Sequence, residues 1–361
     1  MRKLWPLLRM LVGLGILAAL VVRLGTGAFV DGLRAIGTGS VLAALGIGLL
    51  TTVFSAWRWC LVARGLGLRL PLTAAVADCY RAVFLNSVLP AGVLGDVHRA
   101  VNHGRQAGDV GRGVRAVVLE RAAGQVVLVV VGVGMLLAQP ALLAAGDLVP
   151  GRGVIVGMLA GLAIVVAIGV WTVGERRTSR IRTALRTCVA DARTGLLSRD
   201  TWPGVVLLSM AALAGYLALF VVAARAAGAQ ATVGELLPLL VLALLVMGLP
   251  INIGGWGPRE AVTAVAFGAA GLGATQGLTA AVIYGVLSLI ASIPGAGVLL
   301  LRRRQTTPDI RPGMLLGMRT PISGRTLALA IGTCLTRPTS RTIMSGSSQH
   351  RESFGLNGAR D

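Results

Sequence analysis

Two stretches of this sequence combine residue types that an apolar helix cannot carry unbroken. The first, residues 86–99, holds Asn86, Pro90, Gly92, Gly95, Asp96 and Arg99. The second, residues 249–261, opens on Leu249-Pro250, runs through Asn252, Gly254, Gly255 and Gly257, and closes on Arg259-Glu260-Ala261. Proline removes a backbone donor and glycine tolerates positive φ, so each stretch is expected to interrupt a helix. Inside a bilayer such an interruption is tolerated only where protein or a water-filled cavity covers the freed backbone groups. The chemistry on offer is ion pairing. Asp96 and Arg99 are three apart and share a helical face; they read as a local interfacial ion pair or as a gate or headgroup contact. Arg81 precedes the first break in an apolar stretch, where a charge is expensive. It either snorkels to the interface or pairs with a lipid phosphate, which suits its fork of donors. Glu120 lies beside Arg121 and shares a face with Gly124, either as an interfacial salt bridge or as part of a site. Arg259 and Glu260 are the charged pair of the second break, and two breaks that each bring a pair favour function over accident.

The bulk composition sets the environment. Of 361 residues 55% are hydrophobic and only 13% charged, against about 25% charged in a soluble domain. Several apolar runs reach the roughly 20 residues that span a bilayer. A formal charge of +20 raises the question of nucleic acid, but the arginines cluster between apolar segments and only 4% of residues are aromatic, too few for a base-stacking platform. Cys60, Cys79, Cys188 and Cys334 have no paired spacing, and His98, His103 and His350 form no metal-binding pattern. No phosphate-binding loop is present, and Gly13-x-Gly15 and Gly46-x-Gly48 lie in apolar spans rather than after a strand. The expectation is no cofactor, no metal and no enzymatic activity.

The elements that must position these residues are membrane spans. A first apolar segment occupies residues 1–22 and is read as a retained span rather than a cleaved leader, with Arg9 able to snorkel. Further spans are expected at 40–62, 114–138, 153–174, 203–226 and 276–301. Trp57-Arg58-Trp59 closes the second as an interfacial anchor, and Arg302-Arg303-Arg304 halts the last. Gly157-x-x-x-Gly161 allows close helix contact in the fourth. Residues 175–200 carry Ile181, Leu185, Val189, Ala192 and Leu196 at helical spacing among arginines. They form a basic amphipathic helix on the membrane surface or an ordinary basic loop. Residues 303–361 read as a basic, disordered tail.

Charge then assigns sides. The N-terminus, 58–73, 96–115, 175–200 and the tail carry 3, 3, 4, 7 and 10 Lys and Arg, which is 27 of the 34, against four in the opposite loops. The first set is therefore cytoplasmic, both termini included. Residues 74–97 must then enter and return on the cytoplasmic side, and 235–270 on the other. The chain reads as two inverted repeats, about 1–138 and 150–302, with six full spans and two re-entrant broken-helix hairpins. Broken helices meeting near the midplane of an inverted repeat are a transporter signature.

The ordered residues Asn86, Pro90, Gly92, Gly95, Asp96 and Arg99, then Glu120-Arg121-x-x-Gly124, then Pro250, Gly254, Gly257 and Glu260 resemble the lysylphosphatidylglycerol synthase transmembrane region, or flippase-like, family. The likeness runs over about residues 5–302. It implies a module of the cytoplasmic membrane that moves or presents an anionic, aminoacylated or polyprenyl-phosphate-linked lipid. It further implies the stand-alone form, without the soluble synthase domain. The partners expected are anionic lipid headgroups, with a separate lipid-modifying enzyme as a further candidate, and no nucleic acid. Two other readings stay open: a membrane subunit assisting a separate lipid-modifying or glycosyl-transferring enzyme, and a small-solute carrier.

Overall fold

The computed structural model describes residues 25–89, 92–137, 190–196, 198–248 and 256–305, with a few single positions between 15 and 23 and at 187. These residues are all-helical. In chain order they form α1 (Gly27–Arg34), α2 (Thr38–Gly65), α3 (Leu72–Val88), α4 (Leu94–Gln106), α5 (Val110–Leu137), α6 (Trp202–Ala226), α7 (Val233–Met247), α8 (Pro258–Ala269) and α9 (Ala274–Gln305). Among them α2, α5, α6 and α9 are long and apolar enough to cross a membrane, at the places expected for four of the spans. Most of the span expected at 1–22, all of that at 153–174, the tail beyond 305, and Pro90, Pro250, Asn252, Gly254 and Gly255 lie outside the described residues.

Both interruptions are present, and the sequence explains how each is made. α3 stops at Val88, and Leu89 before Pro90 is extended (φ −89°, ψ 140°), the conformation a following proline imposes. Gly92 then takes φ +57° and α4 restarts at Leu94 with Asp96 in its first turn. α7 ends at Met247, and α8 restarts after Gly257 at φ +103° with Pro258 in the first turn, where its missing N–H is not needed. The 17 residues of α3 and 15 of α7 extend about 26 and 22 Å, less than the roughly 30 Å of a hydrocarbon core.

The helices on either side of the first break fold back on each other. A Cβ on Gly95 would lie 2.2 Å from the Ala82 carbonyl oxygen, and farther along α4 the Arg99 side chain meets Cys79, so the two run antiparallel in close contact. α2 and α6 are also antiparallel: Gly204 sits against Leu61 and Gly215 against Thr51. One end of the bundle gathers Gly65 against Gly195, Gly104 against Val110, and the Arg115–Asp191 ion pair. The opposite end gathers Gly32 against Val282 and Ile283, and Gln276 donating to the Ala227 carbonyl. The α3–α4 pair starts and finishes at the first end, and the α7–α8 pair at the second. The main apolar cluster joins α6, α7, α8 and α9, where Phe220 stacks on Tyr284 at 4.3 Å; a second, around Trp59, joins α2, α3, α4 and α5.

Two expectations are corrected, one for the tryptophan pair and one for the basic segment. Trp57-Arg58-Trp59 does not end a span as an interfacial anchor, because α2 runs on to Gly65; Trp57 is exposed, while Arg58 and Trp59 are buried. Successive helical residues point about 100° apart, so one ring faces out and its neighbours face in. The last apolar span ends before Arg302–Arg304 as expected, while the helix itself runs on to Gln305; arginine is a good helix former. In the basic segment, residues 190–195 are helical, and Ala192 and Leu196 pack on the Trp59 cluster rather than facing a membrane surface. Residues 175–186, 188, 189 and 197 of that segment lie outside the described residues.

The contact at Gly95 is with backbone, which cannot swing aside. Gly95→Ala is expected to cost about 1–3 kcal/mol through overpacking. Gly46→Ala, on α2 with nothing within 4 Å of its added methyl, is expected to leave stability unchanged or slightly raised. Thermal unfolding of the two variants in the same detergent checks the contrast.

Candidate functional site

The first break opens onto a chain of ion pairs that the sequence spreads over α2, α4 and α5. Asn86 fixes the break itself. Its side-chain oxygen accepts from the Gly95 N–H at 2.8 Å, and its amide nitrogen donates to Asp96 Oδ2 at 2.9 Å. Asp96 Oδ1 accepts from Arg99 Nε at 2.9 Å and from Arg121 Nη2 at 2.8 Å. Arg99 Nη2 continues to Glu120 Oε2 at 2.7 Å, and the other Glu120 oxygen accepts from Arg58 Nε at 3.1 Å and from Arg58 Nη2. Arg58 Nη1 ends the chain on Ser209 Oγ of α6 at 3.0 Å. Arg58, Arg99 and Glu120 are all buried.

Every nitrogen of the two buried guanidinium groups is engaged. Arg99 spends its third on the Cys79 sulfur at 3.4 Å, and its Cζ lies 4.7 Å from the centroid of the Trp59 ring. Gly124 supplies the room: a Cβ there would come within 3.1 Å of Arg58 Nη1. The face shared by Glu120 and Gly124 is thus a seat for a guanidinium, not for a neighbouring helix backbone. Removing one partner from a buried pair leaves an uncompensated charge, so the cluster is all-or-none in energy. It holds three arginines (Arg58, Arg99, Arg121) against two carboxylates (Asp96, Glu120), leaving one positive charge over.

The second break carries a smaller, locally closed arrangement. Glu260 Oε2 accepts from the Gly257 N–H at 2.7 Å and so caps α8, while Oε1 accepts from Arg259 Nε at 3.1 Å and from Nη2. The Arg259 guanidinium lies 5.2 Å from the Trp256 ring centroid and 5.1 Å from that of Tyr284, near enough to both for cation–π attraction. Gly285 again makes room, since a Cβ there would lie 2.5 Å from Arg259 Nη2. Both charges are buried and they balance.

Arg81 neither snorkels nor stands ready for a phosphate: it is buried and donates to Asp78 at 2.9 Å, one turn before it on α3. The structure thus joins Asn86, Gly95, Asp96, Arg99, Glu120, Arg121 and Gly124 into one site with Gly92 at its turn. It keeps Arg81 in a separate pair, and Gly257, Arg259 and Glu260 in the second break. Sequence reasoning missed Arg58, Trp59 and Ser209. The signal for Arg58 was there, since a charge inside an apolar run needs a partner and Glu120 is the acid of the next long span. Ser209 gives no such signal.

Four long apolar helices and two interrupted helix pairs, one built around a buried ion cluster, define a multi-pass membrane protein. The chain matches the family model described as the lysylphosphatidylglycerol synthase TM region over residues 7–295, and it belongs to that family. A comparison with curated proteins finds no match.

If Glu120 is the bridge, removing it strands two buried guanidinium groups. Glu120→Ala is expected to destabilise the fold by about 3–5 kcal/mol. Glu235→Ala, which removes only the exposed capping partner of Thr232 on α7, is expected to cost far less. Denaturation in mixed micelles ranks the two.

Proposed function

We propose that this protein is a lipid translocase of the cytoplasmic membrane that passes an anionic headgroup along the first break while the acyl chains stay in lipid. The observation that carries this reading is the ion cluster at the break, with its surplus positive charge and one member, Arg121, at the protein surface. A guanidinium about 16 Å along α5 from its start lies deep in a span, where a charge without water or an anion is costly. An interrupted helix beside it supplies the polar lining that a passing headgroup needs.

The packing supports two inverted repeats, α2–α5 and α6–α9. Gly132 of α5 meets Val241 and Leu245 of α7, and Gly295 of α9 meets Tyr80 and Phe84 of α3. Exchanging the repeats converts one contact into the other, each a glycine against two residues one helical turn apart. The antiparallel pairing of α2 with α6 fits the same exchange. In this reading the α3–α4 pair is a hairpin re-entrant from the cytoplasm and the α7–α8 pair one from outside. Setting aside Arg58 and Arg99, now seen to be buried, leaves the positive bias of the cytoplasmic side intact.

The carboxylates act here as counter-ions rather than catalysts. Asp96 and Glu120 each have both oxygens occupied by donors, so neither is free to take a proton from a substrate. That favours transport over acid–base chemistry. Switching between access states would require the cluster to repair its ion pairs differently in each.

Two measurements test this. Reconstituted in liposomes with headgroup-labelled phosphatidylglycerol, aminoacyl-phosphatidylglycerol and polyprenyl phosphate, the protein is expected to exchange at least one lipid between leaflets. Asn86→Ala, which frees the break without stranding a charge, is expected to slow that exchange about tenfold. Absence of exchange for every lipid, with and without a pH gradient and membrane potential, overturns the reading in favour of a partner-enzyme subunit. Second, with Cys188 and Cys334 replaced by serine, Ala107→Cys is expected to react with an impermeant maleimide from the cytoplasm and Thr275→Cys from outside. Labelling of both from one side defeats the inverted arrangement.

A further inference from the structure

We infer that His103 is a proton-binding site that acts on the ion cluster from one helical turn away. On taking a proton it pairs with Asp78 across the α3–α4 pair and loosens the hold of Arg99, so lipid exchange quickens as the pH falls. The effect on lipid movement rests on the translocase reading; the proton site does not. Its setting is a cavity of about 160 Å³ outside the cluster. The cavity lies between the first two turns of α3 and the last two of α4, beside the loop that joins α2 to α3. Asp78 and His103 form its buried part, and Arg69, Gln106 and Ala107 its exposed part. Those exposed residues belong to the bundle end read above as cytoplasmic. A polar cavity of this size holds water.

His103 is 3% exposed, yet its Nε2 has no hydrogen-bond partner. A buried polar atom left unpaired calls for a reason, and histidine is the side chain that ordinarily changes charge between pH 5 and 8. The groups that face it come from every side. α3 brings Asp78 and, one turn on, Arg81, which donates to Asp78 at 2.9 Å. The preceding loop brings Arg69 to the cavity mouth. α2 brings the Trp59 ring, which carries no charge and meets the imidazole edge-on at 5.6 Å and 77°. At the start of α5 the backbone of Asp109 and Val110 meets the neighbouring Gly104, and the Asp109–Arg112 pair is balanced. On α4 itself Arg99 stands one turn earlier, its guanidinium 4.7 Å from the centroid of the same Trp59 ring. Asp78 is the one carboxylate among the described residues that line the cavity.

With His103 neutral, Asp78 serves Arg81, and Arg99 holds the cluster. A proton taken from cavity water changes both relations. The imidazolium donates at both nitrogens and accepts at neither, so Asp78 becomes its counter-ion. That pairing draws α4 toward α3 and makes Arg81 share its carboxylate. The same proton sets a second positive charge one turn from Arg99, where like charges repel. Arg99 is the arm by which α4 reaches both Asp96 and Glu120. The cluster thereby gains two arrangements that differ by one proton, which is the differential contact that switching needs.

The test has two arms. In the first, protein carrying isotope-labelled histidine is titrated in detergent from about pH 8.5 to about pH 5 and read by NMR, with His98→Gln and His350→Gln assigning the ring signals. The His103 ring is expected to take up a proton within that range, and Asp78→Asn, which removes the counter-ion, to move the titration to lower pH. In the second, leaflet exchange of labelled phosphatidylglycerol is measured in liposomes with the same pH on both sides. Exchange is expected to be about tenfold faster at pH 5.5 than at pH 7.5, the change in protonated fraction of a histidine titrating near 6.5. His103→Gln is expected to flatten that profile, and His98→Gln, exposed on the same helix, to keep it. The first arm reads the native ring and so stands whether or not His103→Gln folds. A His103 ring that stays neutral down to pH 5, a titration unmoved by Asp78→Asn, or a profile that survives His103→Gln overturns the inference and leaves the translocase reading intact. Titration of His103 with no lipid exchange at any pH sinks the translocase reading and leaves the proton site standing.

Discussion

The Glu120 carboxylate, held between Arg58 and Arg99, is the interaction on which the first half of the molecule depends. It joins α5 to α2 and to α4, and through Arg58 it reaches Ser209 on α6. Ion pairs are dispensable where water can replace either partner. Here both guanidinium groups are buried, so the three charges must be placed together or not at all. The position of α4 after the break follows from this as much as from the turn at Gly92. Asn86 and Gly95 bring the two helices into contact, and Arg99 then fixes how far α4 can rotate before the bridge to Glu120 fails.

The two breaks solve the same problem differently. In the second, the charges are neighbours in sequence, Arg259 and Glu260, and Glu260 doubles as the helix cap, so the break closes on itself between Trp256 and Tyr284. In the first, the charges are gathered from three helices and one of them, Arg121, faces outward. Both use a glycine on a long helix, Gly124 or Gly285, to admit the guanidinium. The closed version suits a structural joint and the open version a site that meets other molecules. A similar architecture thus yields one polar cluster with charge to spare and one with none.

Much of this was legible in the sequence. Proline and glycine inside apolar runs marked both interruptions, because their backbone effects do not depend on what lies around them. The spans of α2, α5, α6 and α9 were legible for the same reason, since length and apolarity are local. What could not be read was partnership across helices. Arg58 passed for an interfacial anchor because a tryptophan stands on either side of it, and only the helical rotation that separates Trp57 from Trp59 shows which way it points. Arg81 looked like a candidate for phosphate because Asp78, one turn earlier, could not be weighed against it without the burial of both. Gly95 was recognised as a helix interrupter, yet its tighter constraint is the Ala82 carbonyl beside it.

The distance along the chain between Arg58 and its counter-ion has a consequence for biogenesis. The two are separated by 62 residues, and Ser209 follows Arg58 by 151. Chain growth is vectorial, so α2 reaches the membrane before α5 has been made. Arg58 lies seven residues from the C-terminal end of α2, so inserting it alone costs less than the roughly 2.5–3.5 kcal/mol of an arginine at a span centre. Its buried seat is nevertheless completed only when α5 brings Glu120 and α6 brings Ser209. The order of synthesis therefore leaves the middle of this cluster unfinished until the second half of the chain has been made.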